Sequence, residues 1–215
     1  TLTVGGKSAA YIEAIDSDVH YQGTVTFNSQ VNTFVSEDSG VGQIGATCKL
    51  KALNVNYEGD NIFSETIRTQ NFTLGKGANV TTKSAVTLSA AHEEDSGLLS
   101  INTGTFTADE ALTLTGSYIN FDADGELVVN DTITGGGNIR TSTSGTGKVT
   151  FNHTVEDGDV GEIGYYGEGL LALKEVIINP IGKADFNASI IAATITVGED
   201  HETDATVIGE ATTYA

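Results

Sequence analysis

The chain has 215 residues, enough to bury a substantial core in one large domain or two small ones. Its 29 acidic residues outnumber 10 basic residues, and the formal net charge of −19 argues against nucleic acid or a bare anionic bilayer as a partner. Aromatic residues make up 7% of the chain, which is lean for a globular enzyme. Abundant Thr, Val and Ile favour strands over helices, so we expect an all-β protein.

The single cysteine, Cys48, excludes an intramolecular disulfide. It lies in "IGATCKL", between apolar residues, which predicts a small buried side chain rather than a nucleophile. No run of about 18 apolar residues occurs, so we expect no direct membrane insertion by this chain. Because the first residue is Thr1 and not Met, we expect a processed protein or a fragment of a longer one.

Short runs that alternate between apolar and polar residues occur along the whole chain, each followed by Gly, Asn, Asp or Ser. Two stretches, 90–97 and 170–177, could instead be helical, and in the second Leu170, Leu173 and Ile177 would share a helical face. The alternating runs are, in chain order, "TVTFN" (24–28), "ALNVNY" (52–57), "NFTLG" (71–75), "AVTLS" (85–89), "ALTLTG" (111–116), "ELVVND" (126–131), "KVTFN" (148–152) and "TITVG" (194–198).

An internal repeat accounts for the near-identity of two of these runs. "VTFN" begins at Val25 and again at Val149, and "VTLS" begins at Val86. Each is followed by an acidic turn, "EDSG" or "EDGD", which begins at Glu37, Glu94 or Glu156. The spacing of roughly sixty residues predicts three structural repeats in a single domain covering 1–215. We place the repeats near 23–85, 86–146 and 147–215.

The first and third repeats align without a gap over 50–75 and 173–198. Apolar positions stay apolar across this alignment while the residues between them vary, as expected for a shared buried face and a variable outer face. The alignment favours a strand, and not a helix, within 170–177. The alternation and stacking of the strands also predict that Phe151 and Ile163 point inward.

These patterns predict a parallel β-helix, a solenoid in which short strands stack in successive coils. With about twenty residues per coil, the chain would form about ten coils, three for each repeat. A β-sandwich is the alternative fold, because it too is built from short alternating strands.

The segment "GGNIRTSTSGTGKVTFN" (136–152), followed by "VGEIG" (160–164) and "LKEVIIN" (173–179), resembles the passenger repeats of autotransporters, most closely the rickettsial surface-antigen type. "GTVTFN", "VGQIG" and "LKALNVN" repeat most of that signature. The resemblance covers 23–75 and 136–200 well and the middle third poorly. It implies a right-handed β-helix that is exported across the outer membrane and displayed on the cell surface, often as an adhesin.

Two acidic turns are candidates for calcium binding, since Ca²⁺ prefers hard carboxylate oxygens. Neither turn matches the EF-hand loop or the calcium-binding nonapeptide repeat. Apart from calcium at these turns, the sequence predicts no cofactor. The candidate ligands are Asp122, Asp124 and Glu126 in "FDADGELVV", and Glu156, Asp157, Asp159 and Glu162 in "EDGDVGE".

Other residues with side chains capable of catalysis or metal binding are better explained as parts of ordinary turns. "EDSG" resembles part of a serine-protease motif, but its recurrence within a repeat indicates a turn, so neither Ser39 nor Ser96 is expected to be catalytic. His92 and His201 each lie among carboxylates without a second histidine at metal-ligand spacing. We therefore expect no catalytic residues.

Three functions are consistent with the sequence. The first is a non-enzymatic structural or adhesive module of a bacterial surface, which contacts a host or neighbouring-cell surface protein or another copy of itself. The second is a subunit of a self-assembling extracellular filament or surface layer. The third is a β-helix enzyme that acts on polysaccharides; it would need a basic residue near an acidic cluster, and Arg68 and Arg140 are the only arginines.

Overall fold

The computed structural model describes residues 1–5, 11–31, 40–92, 95–166, 169–179, 184–186, 188–198, 207–208 and 211–213. These residues form strands and turns, and no helix occurs among them. The strands are β1 (Leu2–Val4), β2 (Tyr11–Ile15), β3 (Gln22–Phe27), β4 (Gly40–Ile44), β5 (Leu50–Val55), β6 (Gly59–Phe63), β7 (Ile67–Leu74), β8 (Ala78–Thr82), β9 (Val86–Ser89), β10 (Gly97–Ile101), β11 (Thr105–Ala108), β12 (Leu112–Thr115), β13 (Ser117–Phe121), β14 (Glu126–Val129), β15 (Ile133–Thr134), β16 (Gly137–Thr141), β17 (Thr146–Phe151), β18 (Val160–Ile163), β19 (Tyr165–Tyr166), β20 (Gly169–Leu170), β21 (Leu173–Ile178), β22 (Ala184–Asp185), β23 (Ile190–Val197), β24 (Val207–Ile208) and β25 (Ala211–Thr213).

The strands stack in parallel as a β-solenoid with three sides and about eight turns. Side 1 contains β2, β4, the start of β7, β9, β12 and β15. Side 2 contains β1, β3, β5, the end of β7, β10, β13, β16, β18, the start of β23 and β25. Side 3 contains β6, β8, β11, β14, β17, β21 and the end of β23.

The prediction of a parallel β-helix is thus confirmed, and a right-handed β-helix fits the structure. The alternative, a β-sandwich, is wrong, because the long sheet is made of parallel pairs between successive turns. Ten coils were too many, because several turns take more than the expected twenty residues and the described ends add only partial turns. The helix considered at 170–177 is a strand from Leu173, and the described residues of 90–97 contain no helix.

Apolar side chains of equivalent strands stack into columns inside the solenoid. The alternation of buried and half-buried residues along each strand follows from the period of two in the sequence. Phe151 and Ile163 are 1% and 0% exposed, which confirms that both point inward. The side 2 column consists of Val25, Leu53, Phe72, Leu99, Ile119, Ile139, Ile163 and Ile190, all buried.

The sequence repeat does not correspond to whole turns. Val25 lies on side 2, Val86 on side 1 and Val149 on side 3. Each copy therefore begins two turns and two sides after the previous copy, and not three turns after it as predicted. The difference arises because the three sides accept the same strand sequence, so a repeat can pass to the neighbouring side without exposing its apolar residues.

Asparagines at the ends of strands form ladders between turns. The Nδ2 of Asn56 donates to the Oδ1 of Asn28 at 3.0 Å. Likewise, the Nδ2 of Asn152 donates to the Oδ1 of Asn130 at 2.8 Å. The Nδ2 of Asn179 lies 3.4 Å from the Oδ1 of Asn152. These bonds explain why the repeated hexapeptide ends in asparagine, since the amide can donate to one neighbour and accept from the other.

Two equivalent glycines close the "VGQIG" and "VGEIG" segments. Gly45 has a φ of +68° and Gly164 a φ of +81°. A Cβ atom added at Gly45 would lie 2.2 Å from the backbone oxygen of Arg68. A Cβ atom added at Gly164 would lie 2.0 Å from the backbone oxygen of Ile191. Both the backbone conformation and the close approach of the next turn therefore require glycine.

Candidate functional site

The first set of predicted calcium ligands is divided among three different contacts. Asp122 accepts hydrogen bonds from the hydroxyl of Ser100 and from the Nδ2 of Asn120, the latter at 2.5 Å. Asp124 forms an ion pair with Lys174, with 2.7 Å between Oδ2 and Nζ. That contact raises the pKa of the Lys174 ammonium, chiefly through its hydrogen bond to Asp124.

Glu126 belongs to a row of charges across three strands of side 3. Its Oε1 lies 3.4 Å from the Nζ of Lys148, and the Oε2 of Glu175 lies 3.6 Å from the same Nζ. The three residues are paired in register on β14, β17 and β21. The lysine thus offsets the repulsion between two carboxylates on neighbouring turns.

The second set of predicted ligands lies at the turn before β18 and, for Glu162, within β18 itself. The N–H of Glu156 donates to the Oδ2 of Asp159 at 2.9 Å, which closes the turn, and Asp157 is exposed within it. The N–H of Glu162 donates to the Oδ1 of Asn138 at 2.9 Å. Within the part of the chain that the structure describes, no three Asp, Glu, His or Cys side chains come together as metal ligands. Calcium binding at either turn stays a prediction.

A cleft opens on the outside of the solenoid where the turn before β10 meets side 2. It has a volume of about 250 Å³ and extends over three successive turns of the solenoid. We call it the Arg140 cleft, and its polar lining consists of His92, Asp95, Ser96, Ser117, Tyr118, Asn138 and Arg140. Both His92 and Ser96 are exposed.

The strand pattern places the side chains of the Arg140 cleft outward. In β16, the residues Gly137, Ile139 and Thr141 are buried, whereas Asn138 and Arg140 are half-buried. In β13, the half-buried residue is Tyr118, between two buried neighbours. The guanidinium carbon of Arg140 lies 4.4 Å from the centre of the Tyr118 ring, a cation–π contact.

The Arg140 side chain has no hydrogen-bond or ion-pair partner among the described residues. Its Nε is buried and is the only buried side-chain nitrogen or oxygen there without a partner. By contrast, Arg68 donates to the backbone oxygen of Ala46 at 2.7 Å. A buried donor that makes no bond is unfavourable, so Arg140 stands out as a group that a ligand can satisfy.

The remaining candidates have ordinary environments or lie outside the described residues. Ser39 and His201 belong to the latter group, as do Glu37 and Glu94 of the acidic turns. Cys48 is half-buried, and not buried as predicted, because it lies in a loop and not on an inward strand position.

The Cys48 loop is held by Asp16. The Oδ1 of Asp16 accepts from the N–H of Cys48 at 2.9 Å, and its Oδ2 accepts from the N–H of Thr47 at 2.7 Å. Burial alone would raise the pKa of the Asp16 carboxyl, but these backbone hydrogen bonds outweigh it, and the pKa is lowered.

Sequence reasoning considered Arg140 only as a possible base and missed Tyr118 and Asn138. The three residues meet because they lie on adjacent turns, and the pairing of Asn120 with Arg140 shows the twenty-residue offset that brings them together.

Comparison of the chain with models of known families, with curated proteins and with solved structures returns no match. Within the described ranges, no helix is long and apolar enough to cross a membrane.

Proposed function

We propose that the chain is a non-enzymatic structural and adhesive module, displayed on a bacterial surface after export across the outer membrane. The observation that carries the proposal is the contrast between the inside and the outside of the repeats. Leu50, Leu53 and Val55 are buried, as are their counterparts in the third repeat. Outward positions differ more, as with Asn54 and its counterpart Ile177, both half-buried.

Such a construction separates support from recognition. The interior stacks at about 4.8 Å per turn, so about eight turns span roughly 40 Å whatever the outward residues are. The outward residues of every turn are then free to vary, and they supply a surface for a host-cell or neighbouring-cell protein, or for a second copy of the chain. The resemblance of the repeats to autotransporter passengers supports display at the cell surface.

The direct test is adhesion. Beads coated with the purified chain should bind epithelial cells or one another in a saturable way, and soluble chain should compete with that binding. Beads coated with an unrelated protein of similar negative charge are the matched control. Clumping of the beads without cells would assign the contact to self-association. Binding no greater than that of the control beads, to cells and to one another, would contradict the proposal.

A further inference from the structure

The contacts of the Arg140 cleft leave it rich in unused donors. Among the described residues, no partner is present for the guanidinium of Arg140, the hydroxyl of Tyr118 or the hydroxyl of Ser96. The Oδ1 of Asn138 already accepts from the N–H of Glu162, which leaves its Nδ2 as a donor. A ligand that satisfies this cleft must therefore present several acceptors.

The charges of the cleft locate where a negative group can bind. Asp95 lines the cleft, yet no oxygen of Asp95 comes within the 4.0 Å of Arg140 that defines an ion pair. An anionic group at Arg140 is held by charge-assisted hydrogen bonds. At Asp95, by contrast, a neutral hydroxyl can donate to the carboxylate. The cleft thus suits a molecule that carries both a carboxylate and hydroxyl groups.

From these observations we propose that the Arg140 cleft binds a carboxylate-bearing sugar residue, such as a uronic acid within a polysaccharide. The cavity of about 250 Å³ is of a size for one sugar ring. A protein partner fits the cleft less well, because protein interfaces centre on apolar side chains. The large exposed apolar residues of the described chain, Leu2, Val19 and Val197, do not line the cleft. The inference goes beyond the proposed function, because it adds a sugar ligand to the protein partners proposed there.

The test is titration of the folded chain with methyl glucuronide and methyl galacturonide, followed by calorimetry or by NMR shifts of backbone amides. Methyl glucoside is the neutral counterpart, and free glutamate presents the carboxylate without a sugar. We expect at least one uronide to bind more tightly than the other two probes, with shifts centred on β13 and β16. Failure of both uronides to bind would overturn the proposal, and so would equal binding of the neutral glucoside or of glutamate.

Variants assign the binding to Arg140. The Arg140→Gln variant should weaken uronide binding about tenfold to a hundredfold, while Arg140→Lys should retain part of it. Lys174→Gln changes the net charge by the same amount outside the cleft and should leave binding unchanged. Equal loss in the Arg140→Gln and Lys174→Gln variants would show a general charge effect and overturn the site. Because Arg140 has no described hydrogen-bond or ion-pair partner and Arg140→Gln removes only the cation–π contact with Tyr118, that variant should lower the melting temperature only slightly.

The same variants separate this proposal from the proposed function. If Arg140→Gln loses the uronide but its beads still adhere, the sugar site stands and adhesion uses other outward residues. If wild-type beads adhere and no uronide binds, the adhesive function stands and the sugar site is wrong.

Discussion

The first and third repeats make the same backbone hydrogen bonds on different sides of the solenoid. In the first repeat, the N–H of Ile62 donates to the oxygen of Val31 at 2.8 Å. In the third, the N–H of Asp185 donates to the oxygen of Val155, also at 2.8 Å. The ring contacts agree as well, with centroids 5.8 Å apart for Phe27 and Phe63 and 5.4 Å apart for Phe151 and Phe186.

What differs between the two regions is position and the connecting loops. β3 belongs to side 2, whereas its counterpart β17 belongs to side 3. After Gly45 the chain turns through a short loop held by Asp16, but after Gly164 it forms the antiparallel pair of β19 and β20. The repeated sequence therefore specifies a strand and its neighbours, and it does not specify a place on the circumference.

A charge placed in the core tests the equivalence of the first and third repeats, and it has the largest expected effect. Phe27→Asp and Phe151→Asp should each lower the free energy of unfolding by about 4 kcal/mol or more, because each places an unpaired carboxylate in an apolar column. Urea unfolding of the purified variants measures the loss. The matched controls, Thr26→Asp and Thr150→Asp, change half-buried outward positions and should cost much less. Unchanged stability in both phenylalanine variants would mean that the inward and outward faces are reversed.

The equivalent glycines give the second comparison. Gly45→Ala and Gly164→Ala should each cost about 2 to 4 kcal/mol, because the added Cβ displaces a backbone oxygen of the next turn and the backbone conformation is strained. Gly145→Ala is the control, since Gly145 also has a positive φ, +78°, but nothing lies within 4 Å of its added Cβ. It should cost only about 1 kcal/mol. Thermal unfolding followed by circular dichroism measures all three, and a loss in the control as large as in the others would contradict the steric explanation.

The asparagine ladders give a third comparison between the two repeats, with a smaller expected effect on the free energy of unfolding. Asn152 bonds to asparagines on both neighbouring turns, whereas the described side-chain bond of Asn28 is to Asn56 alone. Asn152→Ala should therefore cost about 1 to 2 kcal/mol, and Asn28→Ala about half as much, since a net hydrogen bond contributes about 1 kcal/mol. Urea unfolding of the two variants measures the difference. Equal losses would show that the second bond adds no stability.

The smallest expected effect is the pH dependence that Asp16 contributes through the Cys48 loop, which it holds in the first repeat. Its pKa in the folded protein lies below the value of 3.8 for a free side chain. A lowered pKa stabilises the folded state above about pH 4, and the contribution is lost as the pH falls through the folded value. Asp16→Ala should reduce stability at pH 7 by about 1 kcal/mol or less, since the carboxyl is exposed.

That difference should shrink as the pH falls, because acid removes the same charge from the wild-type chain. Unfolding of the two proteins in urea at pH 7 and pH 2.5 measures it. Asp157→Ala, which changes an exposed carboxyl in the third repeat, is the control. A difference between the wild-type chain and Asp16→Ala that stays constant with pH would show that the carboxylate charge plays no part.

Much of the fold could be predicted from alternation and self-similarity. The inward positions of Phe151 and Ile163 follow from a period of two, which local sequence records directly. The side on which a repeat lies does not follow, because loops of different length separate strands that look alike. Cys48 shows the same limit, since an apolar neighbourhood in sequence does not reveal a loop held by Asp16.

The candidate site was less predictable than the fold. Asp124 and Glu126 look like a ligand cluster in sequence, but alternation and the turn give them different lysine partners from later turns. The Arg140 cleft was missed because Tyr118 and Arg140 come together only through the register between successive turns. Contacts between turns depend on how many residues each turn takes, and that number varies along the chain.

The displacement of each repeat by two turns and two sides has a consequence for chains of other lengths. Adding or deleting one repeat would move all later strands onto a neighbouring side of the solenoid. A cleft such as the Arg140 cleft would then face a different direction relative to the N-terminal turns. Three repeats together make eight whole turns and restore the original direction. Gain or loss of repeats would thus change the direction in which the outer surface faces as well as the length of the solenoid.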